Sequence, residues 1–185
     1  MVKTLAELPT AYTGQCEVVI NDRDFDIVAR NTILLLITLH FSADSAPLTM
    51  LHVWYSALIR AQMLRAIQEE IRPLIQDVCA KIAGKPAGSL QAKKWTYGTR
   101  SLRLVLEKEE WNRLLSYFEV PNGLSPTQAR AIRTMITLAP KRRDYLDRWL
   151  YALPPARRVG AMKFREDGIL LPFGSCRRDF DTPNP

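Results

Sequence analysis

A run of β-branched and acidic residues, Cys16-Glu17-Val18-Val19-Ile20-Asn21-Asp22, leads directly into an apolar stretch from Phe25 to Phe41. A short strand tipped by an amide and a carboxylate, followed by a buried helix, is how nucleotide-type α/β folds build one wall of a ligand crevice. No glycine-rich turn stands ahead of this strand, and no Gly-x-Gly-x-x-Gly sequence occurs anywhere in the chain. The expected fold is therefore α/β and predominantly helical: a partial Rossmann-like, methyltransferase-like scaffold with few short strands and without its cofactor cradle. A length of 185 residues suits a single domain. We place that domain at residues 1–178, with residues 179–185 as an irregular tail.

Local signals divide the rest of the chain. Val2 to Leu8 reads as the end of a helix closed by Pro9. Asn21, Asp22 and Asp24 are suited to cap the helix that follows, where Asp26 can pair with Arg30 one turn on. Pro47 opens a second helix through Trp54, Tyr55 and Leu58. Leu64, Ile67, Ile71, Leu74, Val78 and Ile82 recur at helical spacing, with Pro73 set to kink the pattern. Gly84 to Ser89 is a loop, and the alternation of Leu102, Leu104 and Leu106 predicts a strand over 101–106. Helices follow over 107–118, from Pro126 to about Leu138, from Pro140 to Leu150, and from Pro154-Pro155 toward Phe164. Ile169 to Phe173 is strand-like.

Several classes of chemistry are poorly served by these residues. The three cysteines are far apart and the two histidines lie twelve residues from each other, so no zinc pattern is present and a reducing, cytoplasmic setting is the simplest expectation. The longest apolar run is about ten residues, half of what a membrane-spanning helix needs. Gly84-Lys85 places its lysine after the first glycine, unlike a phosphate loop. Asp22 is where a ribose hydroxyl would bind in a Rossmann-type fold, although helix capping requires the same residue types. His52 and Ser56 share a helical face, but no nucleophile elbow accompanies them. If their helix is exposed, Trp54 and Tyr55 become anchors for a protein partner.

The net charge of +7 is unevenly placed: residues 120–185 carry 12 basic and 6 acidic side chains. Lys141-Arg142-Arg143, Arg157-Arg158 and Arg177-Arg178 could meet phosphates, with Arg142 and Arg143 the leading candidates and Asp144 able to pair with Arg148. Lys93-Lys94-Trp95-Thr96-Tyr97 mixes cations and aromatics as single-strand binders do. No recognition motif accompanies this charge, which disfavours nucleic acid as the partner.

Three segments carry a family resemblance: residues 16–31, His52-Val53-Trp54-Tyr55-Ser56, and residues 165–174 from Arg165 to Gly174. Together they resemble an uncharacterised fungal domain that often stands at the N-terminus of larger proteins, some ending in a MYND-type zinc finger. They are also similar to the methyltransferase-like N-terminal region of dynein axonemal assembly factor 3. The family pattern has a further strand and turn ahead of the helix at Pro9 and continues beyond Pro185. The resemblance therefore implies an incomplete domain whose methyl-donor turn is missing. It supplies no catalytic residues, no metal and no cofactor. An unpaired strand edge would favour self-association. The expected function is a non-catalytic intracellular interaction or assembly-type module with an unidentified protein partner and no membrane. The alternatives are a remnant S-adenosylmethionine-dependent methyltransferase using Asp22, or an anion or nucleic-acid binder using the basic C-terminal third.

Overall fold

The computed structural model describes residues 7–185. Most of the helix expected at residues 2–8 lies outside them. Asp24 starts helix α1 (Phe25–His40): its carboxylate accepts the Asp26 N–H, while Asp22 accepts the Asp24 N–H. Helix α2 (Ala46–Tyr55) carries Pro47 in its first turn and leads into a two-residue strand β1 (Leu58–Ile59). The periodic segment after it is one helical rod in three parts. Helix α3 (Ala61–Ala66) widens to a π-helical turn over Ile67–Ile71, and α4 (Arg72–Ile82) follows. The widened turn precedes Pro73, whose ring displaces the carbonyl four residues back and which has no N–H to offer it.

Strands β2 (Leu90–Tyr97) and β3 (Arg100–Glu107) form a hairpin in full register from Leu90↔Glu107 to Tyr97↔Arg100. Its two-residue turn relies on Gly98, whose φ of 60° suits a hairpin turn and disfavours side-chain-bearing residues. Helix α5 (Lys108–Ser116) opens with a reciprocal capping box between Glu107 and Glu110. The hairpin, α1, α4 and α5 enclose the main core around Ile37, Ile71, Ile75, Trp95, Trp111 and Phe118.

The C-terminal part consists of α6 (Pro126–Thr137, capped by Ser125), α7 (Pro140–Ala152) and α8 (Pro155–Asp167), followed by extended chain to β4 (Thr182–Pro183). A smaller core of Leu58, Ala129, Ile169 and Phe180 joins it to β1. The end of the chain is thus built into the fold. Strand β4 pairs antiparallel with β1, and Phe180 is buried, so the irregular tail expected from residue 179 is corrected.

The chain is mixed α/β and mainly helical, with few short strands. Among the described residues both sheets are two-stranded and antiparallel, so no parallel ladder of a Rossmann type is present. Residues 16–20 are not a strand: among the described residues they join no ladder, and Val19 is 83 % exposed. β-branched composition favours extended chain but supplies no partner for it. The expected strand at 169–173 also joins no ladder among the described residues: side chains satisfy the backbone of residues 169–171, and the chain turns at Phe173. Arg177 donates to the Ile169 and Leu171 carbonyls and Ser56 accepts the Leu170 N–H. Two expected ion pairs are also replaced. Asp26 meets Arg113 rather than Arg30, and Arg148 lies over the Tyr145 ring rather than on Asp144.

Gly168 closes α8 in the left-handed region at φ 73°. A Cβ there would lie 2.8 Å from Arg133 Cδ and 3.0 Å from Ala57 Cβ. Gly168→Ala combines backbone strain with a clash, and we expect a loss of about 1–3 kcal/mol, measured by urea unfolding.

Candidate functional site

Two features of α2 separate cleanly: its polar residues hold the fold, and its aromatic end faces a cleft. His52 and Ser56 stand four residues apart, and His52 Nδ1 lies 2.9 Å from Ser56 Oγ. Both are buried. The serine oxygen also accepts the Leu170 N–H at 3.0 Å. With one lone pair so used, the hydroxyl hydrogen can go to Nδ1, which places the ring proton on Nε2. The Phe180 ring lies 4.6 Å from the imidazole, and the Arg60 guanidinium lies 5.0 Å from the same Phe180 ring. A nucleophilic serine needs an open approach and donors for the developing oxyanion. Here Ser56 Oγ is held by His52 and a backbone amide, so the pair braces α2 against the chain after α8.

Burial, and then the nearby Arg60 cation, hold the His52 imidazole below its ordinary pKa of 6.5. The unfolded chain therefore binds a proton at a pH where the folded protein still refuses it. That contribution to stability is complete above about pH 6.5 and is lost as pH falls through the window beneath it. We expect the melting temperature to drop between about pH 7 and pH 5, with a shallower slope in His52→Gln.

At the end of α2 the His52 carbonyl accepts the Ser56 N–H. The side-chain amide of Asn184 adds a donor there: its Nδ2 lies 3.3, 2.9 and 2.8 Å from the carbonyl oxygens of His52, Val53 and Ser56. Its backbone N–H adds a bond to Ala57 O. Two of the family-like segments, at 52–56 and 165–174, thus meet here, closed by the end of the chain.

Trp54 and Tyr55 are each 44 % exposed and stack at 5.1 Å with an 8° interplanar angle. The Arg30 guanidinium lies over the Trp54 ring at 5.6 Å. The pair is the shared wall of two adjoining clefts of about 310 and 320 Å³. The first is lined by Leu124, Ala129, Ile132 and Ile136, the second by Leu146, Trp149, Leu150 and Phe164. Arg133 and Thr137 line both, and the Arg133 guanidinium lies 4.1 Å from the Phe164 ring and donates to the Phe164 carbonyl. Burial lowers the pKa of Arg133, with Asp167 opposing. Around the clefts, α7 and α8 bury no residue and α6 buries only Ala129, while Met135 (69 %), Tyr145 (72 %) and Tyr151 (74 %) are largely exposed.

The other candidates lie elsewhere. Asp22 is exposed, has its carboxylate on the Asp24 N–H, and borders neither cleft. Arg142 and Arg143 are exposed in the first turn of α7 and also line neither. The Gly84–Ser89 loop is tied down: Lys108 Nζ donates to the Ala83 and Lys85 carbonyls, and Glu109 accepts the Gly88 N–H. A carboxylate of the protein itself occupies the place an anion would take. Lys94 and Arg103 face each other across the hairpin, while Trp95 is buried in the core and unavailable to a base. Among the described residues no group of His, Cys, Asp and Glu is placed to hold a metal ion, and no helix is long and apolar enough to cross a membrane. Arg133, Trp149 and Phe164 are site residues that local pattern did not single out, though Leu146, Trp149 and Leu150 stand at helical spacing.

A family model described as a domain of unknown function (DUF4470) matches residues 1–59. That span contains α1, α2 and the Trp54–Tyr55 pair but neither the helices that complete the clefts nor the tail that caps α2. No curated protein and no solved structure matches the chain significantly.

Proposed function

We infer that this protein is a non-catalytic, cytoplasmic interaction module of the assembly type, which engages a protein partner through the Trp54–Tyr55 clefts. One observation carries the reading. The residues that could do chemistry on α2 are spent on the fold, whereas its two large aromatics remain half-exposed beside an apolar groove. Half-exposed aromatics in a preformed groove are what interface anchors require. The three cysteines are free, in keeping with a reducing compartment. The kinship read from residues 16–31, 52–56 and 165–174, to a fungal domain and to an assembly factor's methyltransferase-like region, belongs to the same reading.

A photo-crosslinking residue placed at Ile136, which lines the first cleft and is half-exposed, tests it, with one at Asp22 as the control. The reading expects a defined adduct from position 136, absent from position 22 and lost in Trp54→Ala. Adducts of equal yield from both positions contradict it.

A further inference from the structure

The groove has a charge as well as a shape. Helices α6 to α8 hold ten lysine and arginine side chains against four carboxylates. Three of those carboxylates are already engaged: Asp147 with Arg165, Glu166 with Lys163, and Asp167 with Arg177. Lys141, Arg142, Arg143 and Arg157 are exposed and make no ion pair among the described residues. Arg142 and Arg157 stand one helical turn before Leu146 and Ala161, which line the second cleft, so the apolar floor has cations along its margin.

We propose that the occupant of this groove is an acidic amphipathic helix of a partner protein, with two large apolar side chains on one face and carboxylates flanking them. The proposal rests on the interaction-module reading above and specifies its ligand. Two adjoining clefts of similar size that share the Trp54–Tyr55 wall suit two anchors on one helical face, the usual form of helix-in-groove recognition. The cations would attract the flanking carboxylates and raise the encounter rate. A second copy of this chain is disfavoured because it would bring its own +7 charge. A nucleic acid would need an open aromatic face on which a base can stack. The Trp54 ring is already engaged by its own chain, with Tyr55 stacked on it at 5.1 Å and the Arg30 guanidinium over it at 5.6 Å, which leaves less of it for a base.

Fluorescence anisotropy with the full chain tests this. The probe is a synthetic labelled helix of about eighteen residues with Trp and Leu four apart and glutamates beside them. A matched peptide carries lysine in place of glutamate, and a single-stranded RNA of similar length serves as the third probe. The acidic helix is expected to bind at least about tenfold more tightly than the lysine helix. Its affinity should fall about tenfold or more in Trp54→Ala. In the R142E/R143E double variant the affinity should fall and its salt dependence flatten. All these positions are exposed, and unchanged melting of the variants confirms that they fold. Equal binding of the two peptides, or binding of neither, overturns the proposal. The crosslinking result at Ile136 then shows whether the groove still serves some other partner. RNA binding that displaces the acidic helix also overturns it, in favour of a nucleic-acid surface.

Discussion

Trp111→Ala should destabilise the protein by about 3–5 kcal/mol, a large part of the roughly 5–15 kcal/mol that holds a domain of this size together. Trp111 is fully buried where α5 meets the hairpin and α4. Its Nε1–H donates to the Gln91 carbonyl at 3.1 Å, its own carbonyl accepts from Cys79 Sγ, and its ring lies 6.1 Å from Trp95. Truncation removes a large apolar surface, leaves a cavity between three elements, and takes the indole donor away from the Gln91 carbonyl. A urea titration followed by far-ultraviolet circular dichroism reads the loss as a lower midpoint. Trp111→Phe should recover most of the packing but not the hydrogen bond, and so fall in between.

Asn184→Asp tests the second core at its seam. The amide faces three carbonyl oxygens at the end of α2, and a carboxylate in the same place would set acceptor against acceptor. We expect a loss of about 3 kcal/mol near neutral pH, exceeding that of Asn184→Ala, which removes the donors without adding repulsion. Thermal melts of both variants give the order directly. If Asn184→Asp melts with the wild type, the amide contributes nothing to holding α2.

The elements legible in the sequence are those written in local chemistry. Ser125-Pro126, Pro140 and Pro155 start three helices where the structure has them, and Glu107 begins α5 as an N-cap. The alternation of Leu102, Leu104 and Leu106 is that of β3. What local chemistry cannot specify is pairing. Val18-Val19-Ile20 has the composition of a strand and finds no ladder, whereas Lys93-Lys94-Trp95 reads as a basic patch yet forms half of the hairpin. The tail was illegible for the same reason. Nothing near Phe180 or Asn184 announces that one fills a core and the other caps a helix more than a hundred residues earlier. The candidate site was half legible. Trp54 and Tyr55 stand out as adjacent aromatics at a helix end, but their opposite wall comes from α6, α7 and α8, brought there by long-range packing.

The central claim is that α2 spends its polar side chains on stability and its aromatic end on binding, and these roles separate in one experiment. Capture of the crosslinked partner, measured alongside melting temperature, is compared between wild type and Trp54→Ala. The account predicts that Trp54→Ala melts within a few degrees of wild type and loses most of its capture. Undiminished capture by a fully folded Trp54→Ala protein would contradict it.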